Sequence, residues 1–357
     1  LVSTIATGAA SAKETMNGVL ATRYSVDIVA MGDDISQQMA KDVADINGVS
    51  DTLYAPAVSV TLEKADGTRP TSALLVGVKS IDQVKRVMRA NLGNASIDSD
   101  SVLMPTYNAQ TGKELQFANG TADFSTEWNR DGDATRSLTL QANQADYRRV
   151  SAQYEAVGFV DESRFTNGDL DAATHVLLVK ADTDKSGVSV DGIYNDMQAA
   201  LEKSTDATVT GPIAERIVWA NMIDSMMMLL VGLIAVAVLI ALVGVANTLS
   251  LSVIERTRES ATLRAIGMTR GQLRHSLAVE ALLISLVSGI AGVLLGTLFG
   301  WLGAYVVFSM YGKVVFPFEW GINGIVLAVA AVAALLASVF PARRAVSTPP
   351  VEALAEA

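Results

Sequence analysis

The chain has no cysteine and only two histidines, and both shortages exclude chemistry. Without cysteine there is no disulfide scaffold, no thiolate metal site and no thiol nucleophile. His175 and His275 lie far apart in the sequence, so no histidine cluster can bind a metal or complete a Ser-His-Asp arrangement. We therefore predict no catalytic residue and no metal ligand.

Charge is also scarce, at 18% of 357 residues, while 50% of the residues are hydrophobic. Soluble domains usually carry about 25% charged residues. Residues 1–225 contain 19 Lys/Arg and 31 Asp/Glu, whereas residues 226–357 contain 8 and 6. No cluster of basic residues is dense enough to neutralise a phosphate backbone, which excludes a nucleic-acid partner. The sequence therefore consists of an acidic block followed by an apolar one.

The apolar block contains three long runs, 226–247, 276–308 and 322–341. The first has 22 residues without a charge, enough at about 1.5 Å per residue to cross a hydrocarbon layer of about 30 Å. We expect three visible transmembrane helices. Residues 1–12 have the composition of the outer end of a helix, so we expect one more transmembrane helix before Leu1; a flexible terminus after a cleaved signal peptide is the alternative.

The distribution of arginine predicts the orientation in the membrane. Five arginines lie between the first two runs, and Arg343 and Arg344 follow the third. Basic loops stay on the cytoplasmic side, so the acidic block is predicted to be extracytoplasmic. In the second run, Gly292, Gly296 and Gly300 recur every four residues, a spacing that lets another helix approach closely. Glu280 is an ionisable residue within the same run, so a functional role and simple snorkelling both remain open.

The acidic block has alternating strand and helix patterns over residues 13–212, which predict an α/β domain. Strand patterns at 24–31 and 52–62 flank a helix pattern at 35–46 and predict a β-α-β unit. The polar segment at about 95–168 is predicted to form a β-rich inserted lobe.

Between the two blocks, Pro212 precedes a helical pattern with no further proline or glycine until Gly232. Proline is tolerated in the first turn of a helix, so we expect one unbroken helix that serves as a stalk into the membrane, over residues 213–247.

The segment 248–275 is charged and amphipathic. Gly267 is placed to end a helix, and Thr269 with Gln272 forms a capping box for the next one. Acidic and basic side chains are mixed, which favours a protein partner over an anionic lipid surface.

These residues resemble the permease domain of FtsX-like, MacB-type ABC transporters. The resemblance covers the run from Glu255 to Gly267, then Arg270, Glu280 and the glycine-rich helix, and the C-terminal tail 342–357. It implies that 253–266 is a coupling helix seated in a groove of an ATPase. The residues assigned to this contact are Glu255, Arg256, Glu259, Leu263, Arg264 and Gly267. The family's first membrane helix has no counterpart here, and an alternative is that the chain is the second unit of a tandem permease, as in some actinobacterial members.

The resemblance also implies a function. The chain would be a multi-pass protein of the bacterial inner membrane, with residues 309–321 as an outer loop. It would transmit ATP-driven motion to an outer domain. That domain would handle an amphiphile such as a lipid, lipoprotein, peptide or antibiotic. The sequence contains no P-loop, so ATP and Mg²⁺ would be bound by a partner ATPase dimer. Other expected partners are a second permease unit, membrane lipid and an extracytoplasmic protein. An alternative function is mechanical regulation of a cell-wall hydrolase.

Overall fold

A computed structural model of the protein describes residues 1–63, 65, 69–128, 134–183, 187–255 and 267–347. The chain divides into two compact units. The helical unit comprises Leu1–Met16 and Ala220–Ala357, and the α/β unit comprises Asn17–Trp219. In chain order the elements are α1 (Val2–Arg23), β1 (Ile28–Gly32), α2 (Gln37–Ala44), β2 (Val49–Leu62), β3 (Thr71–Val78), α3 (Ile81–Val87), β4 (Ser101–Pro105), β5 (Thr121–Trp128), β6 (Ala134–Ala145), β7 (Ala156–Asp161), α4 (Ser163–Thr166), β8 (Thr174–Ala181), α5 (Val190–Ala200), β9 (Thr208–Thr210), α6 (Pro212–Glu255), α7 (Arg270–Phe308) and α8 (Trp320–Ser347).

Two stretches of the described helices are long and apolar enough to cross a membrane, Pro212–Ile240 and Gly271–Phe308. The third predicted crossing falls on a shorter apolar stretch, Trp320–Leu335, within α8. Helix α6 is a single helix of 44 residues, as expected from the lack of breakers after Pro212. The predicted capping box is confirmed, because the Thr269 hydroxyl accepts from the Gln272 amide and the Gln272 side chain accepts from the Thr269 amide.

Helix α1 extends well past the predicted end at residue 12 and reaches Arg23. The boundary between the two units falls after Met16, whereas the predicted start of the α/β domain is residue 13. The buried face of α1 explains why the helix was missed. Beside Ala6, Ala12, Val19 and Leu20, it contains hydroxyl-bearing residues four positions apart, which weaken the apolar periodicity by which an amphipathic helix is recognised. These residues are Ser3, Thr7, Ser11 and Thr15.

The first three predicted elements of the outer domain exist, but β1 and β2 are not neighbours. Strand β8 lies between them and is antiparallel to both, with Leu177 opposite Ala30 and Leu178 opposite Leu53. The simple β-α-β unit is therefore wrong in its pairing. The inner residues of β8 are buried, which suits a central strand that is covered on both faces. Helices α2 and α5 pack on one face of these strands, and α3 packs on the other.

The predicted β-rich insert contains β4, β5, β6 and β7, but it does not form a separate sheet. Strand β7 pairs with β3, and β5 pairs with the end of β2. Because β2 also pairs with β3, the pairings close into a ring in the order β2, β3, β7, β4, β6 and β5. Alternate residues of the ring strands share one apolar core that includes Val60, Leu75, Met104, Phe124 and Leu140. The long strand β2 belongs both to the ring and to the group of strands β1, β8 and β2, in which β8 is central.

Gly158 on β7 lies at a closely packed point of the ring core. A Cβ atom there would lie 2.6 Å from Met104 Sδ and 3.1 Å from both Leu75 Cδ2 and Val102 Cγ2. We expect Gly158→Ala to lower the free energy of unfolding by about 1–3 kcal/mol, because the core must shift to admit the methyl group. Thermal unfolding of the full chain in detergent, followed by circular dichroism, measures the change.

Gly18→Ala is the matched control for this substitution. Gly18 is an exposed residue of α1 with no neighbouring atom within 4 Å of its added Cβ. Alanine is a better helix former than glycine by about 1 kcal/mol, so this variant should unfold at the same temperature or higher. A Gly158→Ala protein that is as stable as the control would show that the ring is not closely packed there.

Candidate transmission joint and helix-packing site

The residues just after α1 bind to the first turn of α6 within the α/β unit. The Tyr24 hydroxyl donates a hydrogen bond to Oε1 of Glu215. The Arg149 guanidinium lies 5.5 Å from the centre of the Tyr24 ring, a cation–π distance. Tyr24 is 4% exposed, and its backbone forms a parallel bridge with Arg149. This contact therefore ties α1, α6 and the loop after β6 together.

Burial, together with the hydrogen bond to Glu215, raises the pKa of the Tyr24 hydroxyl to about 12. The phenol is consequently a neutral donor throughout the physiological pH range. The acceptor carboxylate lies in the first turn of α6, where the partial positive charge of the helix terminus favours an acid.

Asp27, which precedes β1, is the second element of the joint. Its carboxylate accepts hydrogen bonds from Arg89 at 2.7 Å and 3.0 Å and from the backbone amide of Ala181 at 2.8 Å. Its backbone carbonyl accepts from the amide of Ile213 in α6 at 3.3 Å. One residue thus links the entry of β1, the end of β8, the segment after α3 and the start of α6.

The residue before α6 must be glycine for geometric reasons. Gly211 has φ +107°, a conformation that residues with a Cβ rarely adopt. A Cβ atom there would also lie 3.1 Å from the Asp27 carbonyl oxygen. We name the group Tyr24, Asp27, Arg149, Gly211 and Glu215 the joint.

Within the helical unit, the glycines of α7 contact α1. A Cβ atom at Gly296 would lie 2.8 Å from Ser3 Cβ, and one at Gly300 would lie 2.7 Å from the Thr4 carbonyl oxygen. Neighbouring backbone cannot move aside as a flexible side chain can, so these two glycines allow the close approach of α1. An added Cβ at Gly292 has no neighbour within 4 Å, so its predicted packing role has no contact in the described residues.

Two further contacts hold α1 in the helical unit. The Lys13 ammonium lies 2.5 Å from an Asp224 carboxylate oxygen in α6. The Thr15 hydroxyl accepts a hydrogen bond of 3.1 Å from the Val315 amide, in the loop between α7 and α8. Both side chains of the ion pair are partly exposed, so the ion pair orients the helices more than it stabilises them.

Residues 231–350 match the family model described as FtsX-like permease C-terminal. These 120 residues are similar to the C-terminal part of FtsX-like permeases. The match confirms the predicted resemblance, and it includes Glu255 to Gly267, Glu280 and the three glycines of α7. The described part of the chain contains no group of three or more His, Cys, Asp or Glu side chains placed to bind a metal ion.

The chain is similar to three proteins whose names describe permeases. It is 34% identical to the macrolide export ATP-binding/permease protein MacB 1 of Aeromonas hydrophila over 114 residues, which are 31% of this chain and 17% of that protein. It is 25% identical to the pyoverdine export ATP-binding/permease protein PvdT of Pseudomonas savastanoi over 221 residues, 56% and 33% of the two chains. It is 27% identical to an uncharacterized ABC transporter permease of Methanocaldococcus jannaschii over 178 residues, 48% and 44% of the two chains. The chain therefore spans less than half the length of each of these relatives.

A solved structure of the periplasmic region of MacB from Actinobacillus actinomycetemcomitans is similar to this chain with a TM-score of 0.30 and 11% identity, and it covers 56% of this chain and 97% of that one. This score is too low to assign a fold. The architecture of the α/β unit is therefore described from its own strand pairings.

The structure describes only some of the residues predicted to contact an ATPase. Glu255 is the last residue of α6, and Gly267 has φ +107° two residues before the capping threonine of α7. Arg256, Glu259, Leu263 and Arg264 lie outside the described residues. Glu280 lies on α7. The coupling role of this segment stays a prediction.

Sequence reasoning missed the joint and the polar face of α1. Tyr24 and Glu215 are separated by nearly the whole α/β unit, and no local pattern links them. A detectable signal did exist for α1, because Ser3, Thr7, Ser11 and Thr15 recur every four residues as the glycines of α7 do.

We predict that Tyr24→Phe keeps the ring beneath Arg149 but lowers the free energy of unfolding by about 1.5–3 kcal/mol, because it removes a hydrogen bond to a carboxylate. The raised pKa adds a pH dependence. Folding favours the protonated phenol, so the advantage of the wild type over the variant shrinks as the pH rises from 10 through about 12. Denaturant unfolding at several pH values measures both effects.

Tyr107→Phe is the control, because it alters an exposed tyrosine. It should change the free energy of unfolding by less than about 0.5 kcal/mol. A similar loss of free energy of unfolding in both variants would contradict the role of the joint.

We also predict that Gly300→Val separates α7 from α1 and lowers the free energy of unfolding by about 1–3 kcal/mol, because its side chain would overlap the α1 backbone. Thermal unfolding of the full chain in lipid nanodiscs measures the loss. Gly303→Val introduces the same residue into the same helix at a position with no neighbour within 4 Å. Equal unfolding temperatures for the two variants would mean that α1 does not pack on Gly300.

Proposed function

We propose that this permease transmits motion driven by ATP hydrolysis in a partner ATPase to its α/β unit, on the outer side of a bacterial inner membrane. The observation that carries the proposal is the joint. Helices α1 and α6 both have residues in each of the two units, and the hydrogen bond from Tyr24 to Glu215 ties the end of one to the start of the other. A displacement of either helix along its axis would therefore act on the same strands.

The proposed input is the segment after α6. Residues Glu255 to Gly267 fall inside the FtsX-like match, and their mixed charges suit a protein groove. Closure of two ATPase subunits, with ATP and Mg²⁺ between them, would draw the coupling segments of two permease units together. The membrane helices would then shift as rods, which is a rigid-body transition between two states.

The proposed output is the α/β unit, which would act on an amphiphilic substrate such as a lipid, lipoprotein, peptide or antibiotic. Two of the relatives are named for the export of macrolides and of pyoverdine. Substrate need not pass between the membrane helices for this mechanism, because work is done on the outer side by motion of the α/β unit.

Glu259→Lys tests the input. Reversing this charge should abolish the stimulation of the partner ATPase by the permease, and thermal unfolding of the variant checks that it is folded. ATP hydrolysis by the co-purified complex in nanodiscs is the measurement. Glu202→Lys, which reverses a charge just after α5 in the α/β unit, should retain full stimulation.

Purification of the full chain from its own membranes tests the proposal more broadly. Recovery of an ATPase subunit supports it. Recovery of a cell-wall hydrolase in addition would favour the regulatory function over transport. Recovery of no nucleotide-hydrolysing protein, or unaltered stimulation by Glu259→Lys, would overturn it.

A further inference from the structure

The α/β unit contains an open cleft of about 520 Å³ that has no part in the joint. Its walls come from α2, from the start of α3 and from the region of α4, and its floor comes from β2 and β8. This volume lies in the range of about 300–1,000 Å³ that is typical of small-molecule sites. The lining residues used below are Lys41, Tyr54, Lys79, Gln83, Glu162 and His175.

The floor of the cleft is fixed by a pair of stacked rings. The rings of Tyr54 and His175 are 5.2 Å apart and within 5° of parallel. The Tyr54 hydroxyl donates a hydrogen bond of 2.8 Å to the carbonyl oxygen of Ile35, which anchors the outer end of the stack. Gly77 adjoins the floor, and a Cβ atom there would lie 2.6 Å from the Phe165 ring. The site is therefore formed before a ligand arrives, which lowers the entropy cost of binding.

The charge of the cleft is opposite to that of the unit around it. Residues 17–219 contain 18 Lys/Arg and 29 Asp/Glu, yet the cleft is lined by two lysines and one carboxylate. The Lys79 ammonium lies 3.8 Å from the Glu162 carboxylate, at the outer limit of an ion pair. No salt bridge involves Lys41 in the part of the chain that the structure describes. The cleft thus retains an excess of positive charge.

The remaining polar groups add hydrogen-bond donors. The side-chain oxygen of Gln83 accepts a hydrogen bond of 2.9 Å from the Lys79 backbone amide. The side-chain NH₂ group of Gln83 is therefore left to donate elsewhere. Nδ1 of His175 is buried and has no hydrogen-bond partner among the described residues. With the proton on Nε2, only a lone pair is left unpaired at Nδ1, and the imidazole can donate from Nε2.

We propose that this cleft binds an anionic small molecule that carries a carboxylate or phosphate group. Lys41 and Lys79 would neutralise the anion, and the Gln83 amide and His175 Nε2 would donate hydrogen bonds to its oxygens. Glu162 limits the site to ligands whose charge lies toward the lysines. This binding activity goes beyond the transmission of motion and does not depend on it.

Titration calorimetry tests the proposal with two probes, citrate for the carboxylate and inorganic phosphate for the phosphate, on the full chain in nanodiscs at constant ionic strength. We expect one probe to bind at a single site with a dissociation constant below about 1 mM. The double variant Lys41→Gln/Lys79→Gln should weaken that binding by at least about tenfold, because it removes two charge-assisted hydrogen bonds. Thermal unfolding without ligand confirms that the variant is folded.

Lys85→Gln is the matched control, because Lys85 is an exposed lysine of α3 that does not line the cleft. It should bind the probe as the wild type does. The proposal is overturned when neither probe binds, when the double variant binds as tightly as the wild type, or when the control loses affinity to the same extent. None of these results involves ATP hydrolysis, so the outcome is separate from that of the ATPase experiments.

Discussion

The hydrogen bonds around Asp27 and Tyr24 are the constraint on which the rest of the α/β unit depends. Asp27 binds Arg89 and the end of β8 through its carboxylate, and α6 through its backbone carbonyl. Three residues earlier, Tyr24 binds Glu215 in the same helix. Partly buried polar groups of this kind stabilise only one arrangement, because displacement of any partner leaves another unsatisfied. The first turn of α6 is consequently held in register with β1.

The long strand β2 extends this constraint through the unit. Its first half pairs with β8, which also pairs with β1, the strand that follows Asp27 of the joint. Its second half pairs with β3 and β5 in the ring. Apolar side chains cover both faces of the first half, and the ring encloses those of the second. The continuous backbone of β2 therefore joins the ring to strands β8 and β1 in one sheet. The cleft lies against that strand, at Thr52, Tyr54 and Pro56.

Different forces hold the helical unit together. A lipid environment offers apolar side chains no gain from leaving water, so helices associate through close packing and polar contacts. Gly296 and Gly300 permit the close packing, and the hydrogen bond to Thr15 and the pair Lys13–Asp224 supply the polar contacts. The same small residues that permit close packing leave little for hydropathy to detect, which is why the length of α1 was underestimated.

Local patterns in the sequence determined the apolar helices, the unbroken helix from Pro212, the capping box at Thr269 and the first two strands of the α/β unit. Each of these depends on residues that are neighbours in the chain, such as a run without charge or a hydroxyl three residues before a glutamine. The motifs around Glu255–Gly267 were also sufficient to indicate the FtsX-like family.

Only the tertiary structure decided which strands pair, where α1 ends, which glycines pack and where the joint and the cleft lie. Strand β8 joins β1 and β2 although it follows them by more than a hundred residues, because its two apolar faces need cover on both sides. Gly296 is packed and Gly292 is not, although their spacing in the sequence is equivalent. The meeting of Tyr24 with Glu215, or of Tyr54 with His175, results from the closure of the whole sheet, and local sequence contains no record of such distant contacts.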